Sequence, residues 1–376
     1  MTTYRASRVH LGDGVTTDTV LHVQDGVVVA SGVDGPAVDL GDVEVLPGFV
    51  DVHADSLARF AWPRPGVAVP LPHALDAFAA DAVLAGVTTA FLCCSLEPDT
   101  VPARSAAHAR AVLEALTTTP LPIDVRIHLR VDVTHDDTVA ALDDLVVAFP
   151  EHIGLASYMD HTPGRGQYPD EAGWRRAYRA LDRLDDDALD ARLARFRAGA
   201  AGIPGRRERI AAIARSAGIV LAAHDDDSVE AVRTAVALGA GISEFPVTPD
   251  AAAEARAADL GVVVGAPNLW RGGSHGSGPS ARAALVAGHA DVVTSDYHLG
   301  SLLPGLRAAA ADGVATLDGV APFAELVRTV TAAPAARTGL DDRGVLTPGR
   351  RADFVAVLGE RVVGVWVGGR QVLARA

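Results

Sequence analysis

The sequence contains no lysine, so all 33 of its Lys-plus-Arg positions are arginine. Positive charge is also in deficit, with a formal net charge of -14 and a pI near 5.3. Nucleic acids and anionic membranes select basic surfaces, so we expect neither of them as a partner. Any anionic ligand must instead be held locally, by arginine side chains or by metal ions.

Cysteines and long apolar runs are scarce as well. Cys93 and Cys94 are adjacent and are the only cysteines, which excludes a disulfide framework and argues against a zinc-thiolate site. We expect both to be small core residues. No run approaches the roughly 18 apolar residues of a membrane span, and residues 1–14 lack the charged-then-apolar order of a signal peptide. We therefore expect a cytoplasmic protein.

Apolar residues are abundant: 49% of the chain is hydrophobic and 21% is charged, the balance of a globular enzyme with a large core. Eight apolar runs of strand length end in polar residues, and each precedes an Ala-rich segment that favours a helix: FVDVHAD, GVTTAFLCC, DVRIHLRVDV, IGLASYMDH, GIVLAAHDD, GISEFPVT, GVVVGAPN and ADVVTSDY. This alternation predicts an α/β fold with a (β/α)8 TIM barrel. An open doubly wound sheet is the alternative, but its polar residues should cluster at one switch point.

The two ends of the chain follow a different pattern. Residues 1–48 and 345–376 contain short alternating runs and turn signals such as Gln24-Asp25-Gly26, which are typical of antiparallel hairpins. We expect them to form one small β-sandwich domain beside a barrel of residues 49–344. Residues 169–216 predict a helical insertion of two helices that break near Gly202 and Gly205. Its charges fit a solvated face, and a lid or a homodimer contact is the alternative.

Polar side chains at the strand ends predict a metal site. His53 and Asp55 are two apart on a strand and point to the same side. Other runs end in similar residues, namely His128 and Asp132, Asp160 and His161, His224 with the three aspartates that follow it, Glu244, and Asp296 with His298. Carboxylates and imidazoles that converge on one barrel face need cations between them. Mixed N and O ligands suit Zn, Mn or Fe, whereas an oxygen-rich set favours Mg or Mn.

Three arginines in loops predict an anion site. Arg64 lies between two prolines, Arg165 lies in TPGRGQY and Arg271 lies in WRGGSH. Guanidinium groups bind phosphates in bidentate fashion, glycines let the backbone approach, and hydroxyl groups add donors. Surface solvation explains any one of these arginines alone, but together they favour anion binding. The predicted substrate-binding residues are Arg64, Arg165, Gln167, Arg271, Gly272, Gly273 and Ser274.

Several longer motifs resemble one known family. LPGFVDVHAD, VTSDY and LTPGRRADFVAV look like the amidohydrolase superfamily. SYMDHTPGRGQY, SEFPVT, GAPNLWRGGSH and SDYHLGSLLP resemble, more narrowly, the PhnM-like diphosphatases of the carbon-phosphorus lyase pathway, in order along nearly the whole chain. The resemblance implies metal-dependent hydrolysis of α-D-ribose 1-methylphosphonate 5-triphosphate to the 5-phosphate and pyrophosphate.

The resemblance also implies roles for individual residues. Asp296 would bind metal and take the proton of the attacking water, while His275 or His298 would protonate or bind the pyrophosphate. One or two divalent ions are expected. Their predicted ligands are His53, Asp55, Asp132, His161, His224 and Asp296.

The sequence departs from the family at several positions. Many superfamily members bridge two metals through a carboxylated lysine, which a chain without lysine cannot form. A carboxylate must replace it, and Asp132 is our first choice, where the family usually carries glutamate. Residues 276–279 read GSGP, and the segment after Asp55 differs at Ser56, Ala58, Arg59 and Phe60. A relative that acts on another phosphate ester or phosphonate is therefore an alternative.

Two other functional classes are compatible with a barrel of this kind. An amidohydrolase-type C-N hydrolase, such as a deaminase or cyclic amidase, would need a pocket for a neutral substrate and little use for the arginine loops. A non-catalytic binding or scaffold protein would be expected to lack His224 or Asp296, and both are present.

Overall fold

The computed structural model describes residues 1–11, 14–30, 36–98, 102–181, 184–273, 280–314 and 322–375. The β-strands are β1 Thr2–Leu11, β2 Gly14–Gln24, β3 Val27–Val29, β4 Val38–Asp39, β5 Glu44–Pro47, β6 Phe49–Ala54, β7 Val87–Leu96, β8 Asp124–Asp132, β9 Ile153–Met159, β10 Val220–His224, β11 Ile242–Glu244, β12 Gly261–Gly265, β13 Val292–Thr294, β14 Phe354–Leu358, β15 Arg361–Val367 and β16 Arg370–Ala374. The α-helices are α1 Leu57–Ala61, α2 Leu71–Leu84, α3 Ala106–Thr118, α4 Asp136–Ala148, α5 Glu171–Leu181, α6 Asp186–Gly199, α7 Ile203–Ala217, α8 Val229–Leu238, α9 Pro249–Ala257, α10 Ala266–Arg271, α11 Ala281–Val286, α12 Leu302–Ala311, α13 Pro322–Arg328 and α14 Ala332–Arg337.

Strands β6 to β13 form a parallel barrel in chain order, and a bridge between Ala54 and Asp296 joins the first strand to the last. The strands coincide with the eight apolar runs, and helices follow them as the alternation requires. The predicted TIM barrel is therefore confirmed. All six residues of β6 are buried, as expected of a parallel strand covered on both sides.

The barrel interior is filled by apolar side chains. One buried cluster takes residues from strands on opposite sides of the barrel, and such residues can meet only inside it. Its strand members are Val50, Val52, Phe91, Leu155, Ala222, Ile242, Val263 and Val292. Side chains at the C-terminal ends of the strands therefore pack on a layer of buried apolar side chains inside the barrel.

The helical insertion contains three helices, α5, α6 and α7, rather than the two expected. Asp185 begins α6 by accepting a hydrogen bond from the Ala188 backbone N–H at 2.9 Å. The predicted break at Gly202 falls just before α7, but Gly205 lies inside that helix. Helices α5 and α6 share a small core of their own, made of Tyr168, Trp174, Tyr178, Leu189, Leu193 and Phe196. A homodimer contact through this insertion stays a prediction.

The strands of both chain ends form one mixed eight-stranded sheet, in the order β16-β15-β14-β5-β1-β2-β3 with β4 beside β1. The turn signal at Asp25-Gly26 joins β2 to β3, and both residues have positive φ, 50° and 82°, as this hairpin turn requires. The boundary predicted after residue 48 falls between β5 and β6, and the other falls between α14 and β14. The division into two domains at those residues stays a prediction. None of the described helices combines the length and apolar character that a membrane crossing needs.

A buried ion cluster fastens this sheet to the barrel. Glu44 of β5 lies 2.6 Å from His10 Nε2 of β1 and also contacts Arg307 of barrel helix α12. Burial alone would raise the pKa of Glu44, but the hydrogen bonds from His10 and Arg307 outweigh it and lower the pKa to about 2. Glu44 is therefore charged and stabilising at neutral pH.

We expect Glu44→Gln to lower the free energy of unfolding by about 2–3 kcal/mol at pH 7. The folded pKa lies below the unfolded value of 4.5, so the contribution is complete above that pH and disappears as the pH falls towards 2. Chemical denaturation at several pH values measures it. Asp42→Asn, which removes an exposed carboxylate bonded to Ser7, is the control. An equal Glu44→Gln loss at pH 3 and pH 7 would contradict the assignment.

Candidate active site

A cavity of about 930 Å³ opens at the C-terminal ends of the barrel strands. This volume lies in the range of small-molecule sites, and the position is the usual one in barrel enzymes. The predicted residues in its wall are His53, Asp55, His161, Arg165, Gln167, His224 and Asp296. Tyr178 of the insertion also lines it, with its hydroxyl 3.5 Å from His161 Nδ1. The insertion therefore contributes one wall of the site.

Three donor atoms converge in this cavity, and we call His161, His224 and Asp225 the outer donor set. Asp225 Oδ2 lies 3.0 Å from His224 Nδ1 and 3.9 Å from His161 Nε2. The ligand atoms of the set all lie within 4.8 Å of one another. Apart from the contact between His224 Nδ1 and Asp225 Oδ2, none of these three buried atoms has a hydrogen-bond partner within the described part of the chain. Nitrogen and oxygen atoms that lie this close together with few hydrogen-bond partners are suitable ligands for a divalent metal ion.

The protonation states of this set also suit a metal. Burial lowers the pKa of His161 to about 3, so the neutral ring keeps a lone pair. Burial alone would raise the pKa of Asp225, but His224 and His161 outweigh it and the pKa is lowered. Metal ligands must be deprotonated, and both groups meet that condition at neutral pH in the metal-free protein.

Glu244 of β11 fixes the orientation of His53. His53 Nδ1 lies 2.9 Å from Glu244 Oε1, and burial lowers the His53 pKa well below its ordinary value. A neutral ring that donates Nδ1–H to the carboxylate keeps its lone pair on Nε2, and such carboxylate partners usually orient metal-binding histidines. The other Glu244 oxygen lies 3.6 Å from His128 Nε2, which is 2.8 Å from Ser157 Oγ. The Glu244 carboxylate therefore lies between the imidazole rings of His53 and His128.

Arg130 connects two of the predicted metal ligands. Its Nη1 donates to Asp55 Oδ2 at 2.6 Å, and its Nη2 lies 3.2 Å from His224 Nε2. Burial alone would lower the pKa of Arg130, but Asp55 and other nearby acids raise it further above its high ordinary value. Sequence reasoning missed this residue. The signal was present, because Arg130 lies two positions after His128 and so on the same side of β8.

Left-handed backbone occurs where three barrel strands end. Asp225, Phe245 and Asp296 follow β10, β11 and β13 and have φ values of 59°, 52° and 54°. For a residue with a side chain this conformation costs about 1–3 kcal/mol and is concentrated at functional sites.

The carboxyl group of Asp296 has a raised pKa. Burial, and then the neighbouring Asp55, raise the pKa of Asp296 to about 7.

Asp132, our first choice as the bridging carboxylate, takes part in a turn. Its Oδ1 accepts the Thr134 backbone N–H at 2.7 Å and contacts the Thr134 hydroxyl, because a short side chain at a strand end reaches the donors of its own turn. Asp132 belongs to none of the donor groups found among the described residues, nor to the cavity wall. Its predicted role as a ligand stays a prediction.

The predicted anion-binding residues divide into two groups. Arg165 and Gln167 line the cavity, and Arg165 Nη1 is held 3.0 Å from Asp160 Oδ2. The remaining described candidates are not in the cavity wall: Arg64, Arg271, Gly272, Gly273 and His298. Ser274, His275 and residues 276–279 lie outside the described residues. Sequence reasoning also missed Arg104, which lines the cavity from a short 3-10 helix, Pro102–Arg104, after β7, a position without a strand-end signal.

Comparisons with known proteins agree with this geometry. No family model matches the chain. A curated relative from Escherichia coli, alpha-D-ribose 1-methylphosphonate 5-triphosphate diphosphatase, is 32% identical over 320 residues, which cover 83% of this chain and 82% of the relative. Among solved structures, atrazine chlorohydrolase from Arthrobacter aurescens complexed with zinc aligns with a TM-score of 0.66 at 18% identity, over 100% of this chain and 95% of that one. N-acetyl-D-glucosamine-6-phosphate deacetylase from Mycobacterium smegmatis gives 0.62 at 16% identity, over 99% and 100%.

We expect Asp225→Asn to weaken divalent metal binding by about tenfold or more, because it removes a charged oxygen donor from the outer donor set. Metal content after dialysis against buffered Mn²⁺ or Zn²⁺ measures the effect. Asp226→Asn is the matched control, since the Asp226 carboxylate is occupied by the Ser243 hydroxyl at 2.8 Å. Unchanged affinity in Asp225→Asn would remove Asp225 from the ligand set.

Proposed function

Since this chain belongs to the family of PhnM-like diphosphatases within the amidohydrolase superfamily, we propose that it cleaves the 5-triphosphate of α-D-ribose 1-methylphosphonate 5-triphosphate to the 5-phosphate and pyrophosphate. The chain is a metal-dependent hydrolase of the superfamily fold. One observation carries the choice of substrate: a single cavity combines donors for a divalent ion with the side chains of Arg104, Arg130 and Arg165.

Three arginines in the cavity wall support a polyphosphate rather than a neutral substrate. The whole chain has a net charge of -14, so three arginines around one cavity are a local exception. Guanidinium groups match phosphate geometry and keep their charge when partly buried. Each of the three is paired with a carboxylate, Arg104 with Glu97, Arg130 with Asp55 and Arg165 with Asp160, and a neutral amide would use none of their remaining N–H donors as a phosphate does. We therefore assign Arg165, with Gln167 beside it, to the phosphates of the substrate.

The outer donor set supports metal binding, and we propose Zn, Mn or Fe as the ion. A bound divalent ion would supply a nucleophilic water at neutral pH and offset charge on the phosphoryl oxygens. His161, His224 and Asp225 would hold it, with His53, whose ring centroid lies 5.7 Å from that of His224, and Asp55 as further proposed ligands. We propose that one or two such ions bind.

The remaining steps are assigned to residues of the chain. Asp296 lines the cavity, and its backbone oxygen accepts the Asp55 N–H at 2.8 Å, which ties the last strand to the first. From this position it would accept the proton of the attacking water. Glu244 would keep His53 in one tautomer throughout. The proposed roles of His275 and His298 in pyrophosphate release stay predictions.

The proposal is tested by pyrophosphate release. Metal-stripped full-length protein, resupplied with Mn²⁺, Zn²⁺, Fe²⁺ or Mg²⁺, should release pyrophosphate from ribose 1-methylphosphonate 5-triphosphate, with nucleoside triphosphates as comparison substrates. Arg165→Gln should lower kcat/KM by about tenfold to a hundredfold, the value of one charged hydrogen bond. Arg233→Gln, which changes a surface pair with Glu254 on the outer helices, should not.

Two outcomes would count against the proposal. No release with any ion, from protein shown to bind metal, would exclude this substrate and direct screening to other phosphate esters and to C-N substrates. Full activity in Arg165→Gln would be compatible with the proposed reaction but would contradict the assignment of Arg165 to the substrate phosphates.

A further inference from the structure

Arg130 and His224 form a contact that the proposed reaction does not explain. Arg130 Nη2 lies 3.2 Å from His224 Nε2, while Nη1 is held by Asp55 at 2.6 Å. A guanidinium group has only donors, so the imidazole nitrogen must accept this hydrogen bond. With Nε2 accepting from Arg130, the ring proton of His224 lies on Nδ1, which faces Asp225 Oδ2 at 3.0 Å.

A metal ion in the outer donor set requires the opposite arrangement. The His224 nitrogen nearest Asp225 Oδ2 is Nδ1, at 3.0 Å, so an ion held between the two residues would bind Nδ1. A metal-binding nitrogen must offer a lone pair, so the ring proton would move to Nε2 and point at the N–H of Arg130. An ion on Nε2 instead would take the place of Arg130 directly. In either case metal binding and the Arg130–His224 hydrogen bond exclude each other.

We propose that Arg130 and the metal ion compete for His224. In the metal-free protein the guanidinium holds His224, and metal binding releases Nη2 while Asp55 keeps the arginine at the cavity wall. The freed N–H group then faces the cavity and can bind an anionic oxygen of the substrate. Only this last step rests on the proposed function, because the competition itself involves metal and protein alone.

The first test measures metal affinity without substrate. Full-length protein is stripped of metal, its fold is checked by circular dichroism, and Mn²⁺ binding is measured by titration calorimetry. Arg130→Met should bind Mn²⁺ at least tenfold more tightly, because the competitor is gone. Arg165→Met removes a cavity arginine that is bonded to Asp160 and is the matched control, with an expected change below twofold. Equal effects in both variants would mean that the lost positive charge alone, through weaker repulsion of Mn²⁺, explains the result, and would overturn the proposed competition for His224.

The second test observes the proton position on the unaltered chain and uses a variant only to assign the His224 signals. Side-chain ¹⁵N NMR distinguishes protonated, unprotonated and metal-bound imidazole nitrogens, and with 13 histidines in the chain the His224 signals are assigned by their loss in His224→Gln. Without metal, His224 should carry its proton on Nδ1 and an unprotonated Nε2. Zinc should either move the proton to Nε2 or bind Nε2. Identical His224 signals with and without bound zinc would overturn the proposal, whatever the outcome of the pyrophosphate assay.

Discussion

Burying ionisable groups costs free energy unless each charge meets a partner, and the mouth of this barrel is built around that constraint. Carboxylates and imidazoles at the ends of β6, β9, β10 and β13 line one cavity above a layer of apolar side chains. Their partners are different in kind: Glu244 pairs with the neutral His53, Arg130 pairs with Asp55, and the outer donor set has atoms suited to a cation from solution. Because the chain has no lysine, the permanently charged cationic partners available to these carboxylates are guanidinium groups and metal ions.

The fold was largely predictable because a parallel barrel strand must be apolar on both sides, and eight such runs are visible in the sequence. The hairpins of the chain ends were predictable from alternation and from the turn at Asp25-Gly26. The helices of the insertion were harder to count, because two helices with a short connection give one continuous polar, Ala-rich pattern. Gly205 illustrates the difficulty, since a glycine within a helix gives the same signal as a helix break.

The site was predictable only at the level of strand ends. His53, Asp55, His161, His224 and Asp296 were found because a strand end sends its side chains to a shared face. Asp132 obeys the same rule, yet its short side chain bonds to its own turn. Arg104 lies in a 3-10 helix of three residues, which is too short to show a periodic pattern in the sequence. The outer donor set depends on a left-handed backbone at Asp225, with φ of 59°, a conformation that sequence patterns do not reveal.

Pairing between β5 and β14 has a consequence for biosynthesis. Residues such as Val45 and Ala356 are partners in the ladder although nearly the whole barrel separates them along the chain. During translation the first strands must wait, with one edge exposed, until the barrel and β14 have left the ribosome. An exposed edge is prone to pairing with other chains. The late arrival of the C-terminal strands thus sets the interval in which this protein is most open to misassembly or to a chaperone.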